Sequence, residues 1–140
     1  MLDLTSLKKA IHSLEETLKR SNDDKLMSQL DDVTRMAIKS GVIKNFEFTY
    51  ELCWKFMQRW IKENGLSEEA EFPRTRKDLF RLAAKHSLIE TAESWFEYGN
   101  ARNLTSHTYD DEKAHEIYTV TFNFVNDAKY FLTQIELKND

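Results

Sequence analysis

The sequence predicts an all-α fold, an up-and-down four-helix-type bundle with one short accessory helix, and three observations carry that expectation. Turn-forming residues are scarce: only Gly41, Gly65, Gly99 and Pro73 punctuate 140 residues, too few for the turns a sheet of this length requires. Apolar residues recur at steps of three and four rather than in alternation. Apolar residues make up 41% of the chain and aromatic residues 12%, enough for one real core, so residues 1–140 are expected to form a single domain.

The elements follow in order. Leu4, Leu7, Ile11, Leu14 and Leu18 mark one face of a first helix over about residues 3–20. The polar, acidic run SNDDKLMSQLDD after it is either a loop or a loose start to the next helix. From Asp31 to Asn64 there is no proline, and Met36, Ile43, Phe46, Tyr50, Cys53, Trp54, Met57, Trp60 and Ile61 form a helical stripe that Gly65 stops. A helix of about 34 residues is roughly 50 Å long, more than one small bundle covers by itself, so Gly41 is expected to bend it or its end to reach a partner. Phe46, Phe48, Tyr50, Trp54, Phe56 and Trp60 spread over more than one face, which asks for burial by something besides the internal core. Thr75, with Asp78 three residues on, opens a short third helix from Arg76 to about His86. A fourth runs from Ile89 to about Thr105, and Asp110 opens the last, whose apolar face includes Ile117, Phe124, Ala128, Phe131 and Ile135. The acidic pairs Asp31–Asp32 and Asp110–Asp111 read as helix-start charges.

Charge and motifs narrow the function classes. A net charge of −4 leaves no global footprint for nucleic acid. Locally, Pro73–His86 carries Arg74, Arg76, Lys77, Arg81 and Lys85 against Asp78 alone, which is either a solvated helix face or a basic rim that steers a phosphate-bearing ligand or an acidic partner. The amino terminus has charges in its first turns and no uninterrupted apolar region, no stretch approaches a membrane span, and Cys53 is alone among apolar neighbours. Those features fit a cytoplasmic protein with a buried thiol and no membrane partner. No Gly-rich phosphate loop, HExxH, nucleophile elbow or Cys–His cluster occurs, so no metal set and no cofactor are expected. Nor does a helical pattern offer the strand-borne carboxylates that hold Mg²⁺ against a triphosphate, so the chain is not itself expected to be a nucleotidyltransferase.

His12 and His115 fall on helices without ligand partners, and His86 ends the basic helix where a cation suits the dipole. The segment Tyr98–Tyr109 differs, because it gathers Arg, Asn, His and Tyr at the end of an aromatic helix. On an ideal helix Asn103 and His107 share one face and Arg102 and Tyr109 another, so a fixed cation and a titratable imidazole could surround a phosphate and move a proton. Trp95 and Tyr98, just upstream, are candidate aromatic contacts for such a ligand, and Gly99 leaves room for close approach. The plain alternative is an ordinary helix terminus.

Arg102-Asn103-Leu104-Thr105-Ser106-His107-Thr108-Tyr109 reads as R-x4-H-x-Y, which resembles the signature of HEPN domains. Phe46-Glu47-Phe48-Thr49-Tyr50-Glu51-Leu52-Cys53-Trp54-Lys55 resembles a segment of their nucleotidyltransferase substrate-binding branch, and Pro73-Arg74 before a basic helix fits it too. The likeness spans Leu4 to Leu137. It implies a homodimeric helical bundle with two R-x4-H sites facing across the two-fold axis, and a separate minimal nucleotidyltransferase as partner. It also implies two possible roles. In one, the chain presents substrate to that enzyme, with Arg102, His107, Trp95 and Tyr98 binding a nucleotide or acceptor. In the other, it is a metal-independent ribonuclease toxin with Arg102, Asn103 and His107 as catalytic residues, acting on RNA and silenced when AMP is attached to Tyr109.

Overall fold

The structure, a computed structural model, describes residues 1–65 and 75–139, so the Pro73–Arg74 pair lies outside the described residues. Among the described residues there are six α-helices: α1 (Thr5–Ser21), α2 (Asp24–Ser28), α3 (Asp32–Asn64), α4 (Arg76–Lys85), α5 (Ala92–Asn103) and α6 (Asp111–Leu137), with a 3-10 turn, Leu104–His107, between α5 and α6. No strand occurs among the described residues, and the expected all-α class is the one observed.

Side-chain caps fix where the helices begin. Asp31 accepts a hydrogen bond from Thr34 N at 2.7 Å, Thr75 from Asp78 N at 3.1 Å, and Asp110 from Glu112 N and Lys113 N. Each satisfies a backbone donor that has no partner within its own helix. The acidic stretch after α1 is neither loop nor extension: Asp23 caps the five-residue α2. Arg35 then donates from Nη1 to the carbonyls of Met27 and Leu30, tying α2 to the start of α3.

The long helices alternate in direction. Asn45 pairs with Thr17 and Thr49 with the Ala10 carbonyl, so α3 runs antiparallel to α1. Ser21 meets Tyr118, Glu15 meets Lys129 and Lys8 meets Glu136, so α6 also runs antiparallel to α1. Tyr98 bonds Asp127 while Trp95 meets Phe131, which makes α5 antiparallel to α6. The order is therefore up-down-up-down, with α4 packed as the accessory helix across α3 and α5. At the centre Phe124 meets Phe46, Tyr98 and Trp95 at ring-centroid distances of 5.0, 5.2 and 5.6 Å, each nearly edge to face, the arrangement aromatic quadrupoles favour.

Helix α3 is two helices in function. Every buried residue in it lies at Val42 or beyond, whereas Val33 and Met36 in its first turns are exposed. The helix runs without a break through Gly41, from Asp32 to Asn64. Most aromatics of the segment are internal: Phe46, Tyr50, Phe56 and Trp60 are buried, and Phe48 alone of the six is largely exposed. Nothing lies within 4 Å of where a Cβ would stand on Gly41. Glycine in a helix interior costs about 0.5–1 kcal/mol relative to alanine. Gly41→Ala should therefore stabilise the fold by about that much, read as a higher thermal midpoint with unchanged helical circular dichroism; a lower midpoint would show that this glycine serves a contact.

Candidate functional site

The Arg-Asn-His-Tyr segment straddles three kinds of backbone. Arg102 and Asn103 close α5, Leu104 to His107 tighten into a 3-10 turn, and Tyr109 lies just before the Asp110 cap of α6. Thr105 Oγ1 donates to the Arg102 carbonyl at 2.7 Å, occupying an acceptor at the helix end. This change of helix type corrects the expectation of ideal α-helical facing. Tyr109 is carried past the face of Arg102 and turns to His107, its hydroxyl 3.4 Å from Nδ1 and the rings edge to face at 6.0 Å. Tyr109 is 82% exposed, whereas His107 is half-buried.

Arg102 points the other way, to α3. Its Nε donates to Glu51 Oε1 at 2.7 Å, and its Nη2 lies 3.9 Å from Glu47 Oε1. The same Glu51 takes a two-pronged contact from Arg76 at the start of α4, Nη1 to Oε1 and Nη2 to Oε2, both 3.1 Å. Arg76 also lies over the Trp54 ring at 4.7 Å and beside the Tyr50 ring at 5.5 Å. Thus Tyr50, Glu51 and Trp54, three residues of the aromatic segment, seat one cation from α4, while Glu47 and Glu51 seat another from α5. Burial pushes the Glu51 carboxyl up, but hydrogen bonds from Arg102 and Arg76 outweigh it and hold the group below its ordinary value of 4.5.

Two aromatic residues expected to touch a ligand do not line this surface. Trp95 is 1% and Tyr98 3% exposed, both built into the core around Phe124, and the Tyr98 hydroxyl donates to Asp127. Burial, then the Asp127 contact, pushes the Tyr98 phenol up, so it stays protonated. Gly99 does allow close approach, but to a side chain: a Cβ there would stand 3.0 Å from Tyr50 Oη. Cys53 is buried, and burial pushes its thiol up, which fits an inert core group. Sequence reasoning missed Glu47 and Glu51 as site residues. Their signal was an i, i+4 acid pair inside an otherwise aromatic run.

With a cation fixed at a helix end, an imidazole beside an exposed phenol, and an up-down-up-down bundle behind them, the class of protein follows. The chain belongs to the family described as nucleotidyltransferase substrate binding protein like, which matches residues 2–137. Among its relatives, a Haemophilus influenzae protein named probable ribonuclease HepT is 32% identical over 138 residues, covering 99% of this chain and 94% of the relative. A solved structure from Haemophilus influenzae, reported as revealing the fold of a substrate binding domain of a nucleotidyltransferase, superposes with a TM-score of 0.90 at 31% identity, over 96% of this chain and 99% of that one. A crystal structure from Thermus thermophilus gives 0.73 at 25% identity, over 92% and 98% respectively. No helix among the described residues is long and apolar enough to cross a membrane.

The Glu51 contacts set an acid-stability expectation. Its carboxyl is depressed when folded, so the stabilisation is complete above the ordinary value of 4.5 and is lost as pH falls through the lower folded value. Glu51→Gln should cost about 2 kcal/mol near neutral pH, between the values for exposed and buried pairs. Below pH 4 that difference should shrink. Denaturant titrations at both pH values check this, and a difference independent of pH would remove the ionic account.

Proposed function

We propose that this chain is the helical, substrate-presenting partner of a separate minimal nucleotidyltransferase, acting in the cytoplasm as a homodimer within a two-component system. Family membership supports the partnership. The observation that carries the reading is Tyr109, an exposed phenol whose hydroxyl sits against the His107 imidazole just past the helix that bears Arg102. An accessible oxygen nucleophile beside a base is what a nucleotidyl acceptor requires. In the ribonuclease reading below, AMP added there would bring a phosphodiester charge and a base beside His107 and silence it. Exposed Val33 and Met36 near the start of α3 support a dimer, since these large apolar side chains are left uncovered by the chain's own core.

Incubation with its neighbouring nucleotidyltransferase, ATP and Mg²⁺ should add one or more AMP units, mapped to Tyr109 by intact mass and peptide analysis. The same preparation should sediment as a dimer at micromolar concentration. No mass gain with a demonstrably active partner, or an undiminished gain in Tyr109→Phe, would falsify the acceptor role.

A second reading has its own support, in the kinship to the protein named probable ribonuclease HepT and in the placement of His107 in the 3-10 turn that directly follows the helix ending in Arg102 and Asn103. In that reading His107 takes the proton from a ribose 2′-OH. The oxygen attacks the adjacent phosphate, Arg102 stabilises the added negative charge, and the P–O5′ bond breaks as His107 returns its proton to the leaving 5′-oxygen, so a 2′,3′-cyclic phosphate and a free 5′-OH remain. With Nδ1 beside the Tyr109 phenol, Nε2 is the nitrogen that would act as base. Asn103, exposed at the end of α5, would orient the RNA. Purified protein without added metal should then cleave RNA to cyclic-phosphate ends, and His107→Ala or Arg102→Ala should lower the rate at least about 100-fold with the fold retained. Intact RNA across a broad substrate panel would leave the substrate-presenting reading alone.

A further inference from the structure

The two oxygens of Glu51 are shared unevenly between its two arginines. Oε2 accepts from Arg76 Nη2 at 3.1 Å, while Oε1 accepts both from Arg76 Nη1 at 3.1 Å and from Arg102 Nε at 2.7 Å. Arg76 therefore occupies the whole carboxylate, and Arg102 keeps one contact through its inner nitrogen. Among the described residues the terminal nitrogens of Arg102 make no hydrogen bond, with Nη2 standing 3.9 Å from Glu47 Oε1. The side chain is 32% exposed, so the donors it has left over are not sealed in the core.

That division is not what an isolated pair adopts. An arginine and a carboxylate commonly join through two parallel N–H···O bonds, which draw a second guanidinium nitrogen onto the second oxygen. Alone with Glu51, Arg102 would turn a terminal nitrogen to Oε2. Arg76 stands in the way, and its own position is fixed from several sides. It is the first residue of α4, directly after the Thr75 cap, and its guanidinium lies 4.7 Å from the Trp54 ring centroid and 5.5 Å from that of Tyr50. The rings set its plane, and the plane delivers both terminal nitrogens to Glu51.

We infer that Arg76 is a positioning residue: by holding both oxygens of Glu51 it limits Arg102 to a single contact through Nε and keeps the terminal nitrogens of Arg102 for a phosphate. The inference rests on the ribonuclease reading, in which Arg102 stabilises charge on the attacked phosphate. Arg76 touches no reacting atom in it. Its effect passes through Glu51, which makes an α4 residue part of the working of an α5 residue.

Steady-state cleavage of RNA by the full chain, wild type against Arg76→Lys, Glu51→Gln and the double variant, tests this. Lysine keeps the charge but offers no fork, so one oxygen of Glu51 falls free and Arg102 takes it. The expected result is a kcat lowered roughly tenfold, less than the loss of a charge-stabilising donor outright, with KM within about twofold. In the Glu51→Gln background, where no ionic fork forms, Arg76→Lys should add no further loss. Nitrogen-15 NMR of the arginine side chains reads the same change without turnover: rotation of the Arg102 terminal groups should be free in the wild type and hindered in Arg76→Lys. A kcat unchanged in Arg76→Lys, a loss carried by KM, or losses that add in the double variant would overturn the inference. Wild-type protein that cuts no RNA defeats the ribonuclease reading by itself. The NMR then decides the positioning claim alone, upheld by rotation hindered only in Arg76→Lys and rejected by rotation alike in both proteins.

Discussion

The site depends on one carboxylate. Glu51 accepts from Arg102 of α5 and from Arg76 of α4 while standing on α3, so three helices meet through a single residue. Two guanidiniums brought close without it would repel each other in a partly dry setting, where charges interact several times more strongly than in water. With it, each side chain is oriented and loses less conformational freedom than it would in an isolated pair. The placement of α4 follows from this, since Arg76 is also the residue that lies over Trp54 and beside Tyr50.

Orientation by Glu51 does not exhaust the cations. A guanidinium carries five N–H donors. Arg102 directs Nε to Glu51, and its nearest approach to Glu47 is 3.9 Å, too long for a strong hydrogen bond. Donors on its terminal nitrogens therefore remain for a further acceptor. The arrangement suits an anion site, because the side chain is held in one rotamer by a group behind it. The entropy cost that usually accompanies capture of an anion by a flexible arginine is then largely met in the unliganded fold.

How much of this was legible in the sequence depends on the range of the interaction. Helix starts are local, so Thr75 declared itself through Asp78 three positions on, Asp31 and Asp110 through their acidic pairs, and the structure places all three as caps. The bundle core was legible as a period. The helix end at Asn103 was not: nothing between Leu104 and His107 distinguishes α from 3-10 hydrogen bonding, and that change redirected Tyr109 from Arg102 to His107. Trp95 and Tyr98 were read as ligand contacts because they stood near the motif. Position along the chain says little about which side of a helix faces the core, and both rings are consumed by packing on Phe124. Glu51 acts across 25 residues to Arg76 and 51 to Arg102, a separation no local pattern encodes. What the sequence did offer was chemical: carboxylates inside an apolar helical stripe are costly to half-bury unless cations meet them, and the basic run beginning at Arg74 was the nearest supply.

The exposed and the buried halves of the site answer opposite requirements. Arg102 gains from a rigid seat, because a cation that stabilises developing or bound charge works best when it need not move. Tyr109 gains from the reverse. A side chain that stands clear of its own fold is open to other molecules, and a turn ahead of a helix cap provides that without disturbing the core. The short 3-10 turn reconciles the two. It ends the α-helix immediately after Arg102 is seated on α3, then delivers His107 and Tyr109 beyond it within a few residues. Had α5 continued as an ideal helix, Tyr109 would share the Arg102 face and be drawn toward α3, where Glu47 and Glu51 already stand. The change of helix type is thus the local feature that lets one short segment hold a fixed cation and an accessible phenol at the same end of the bundle.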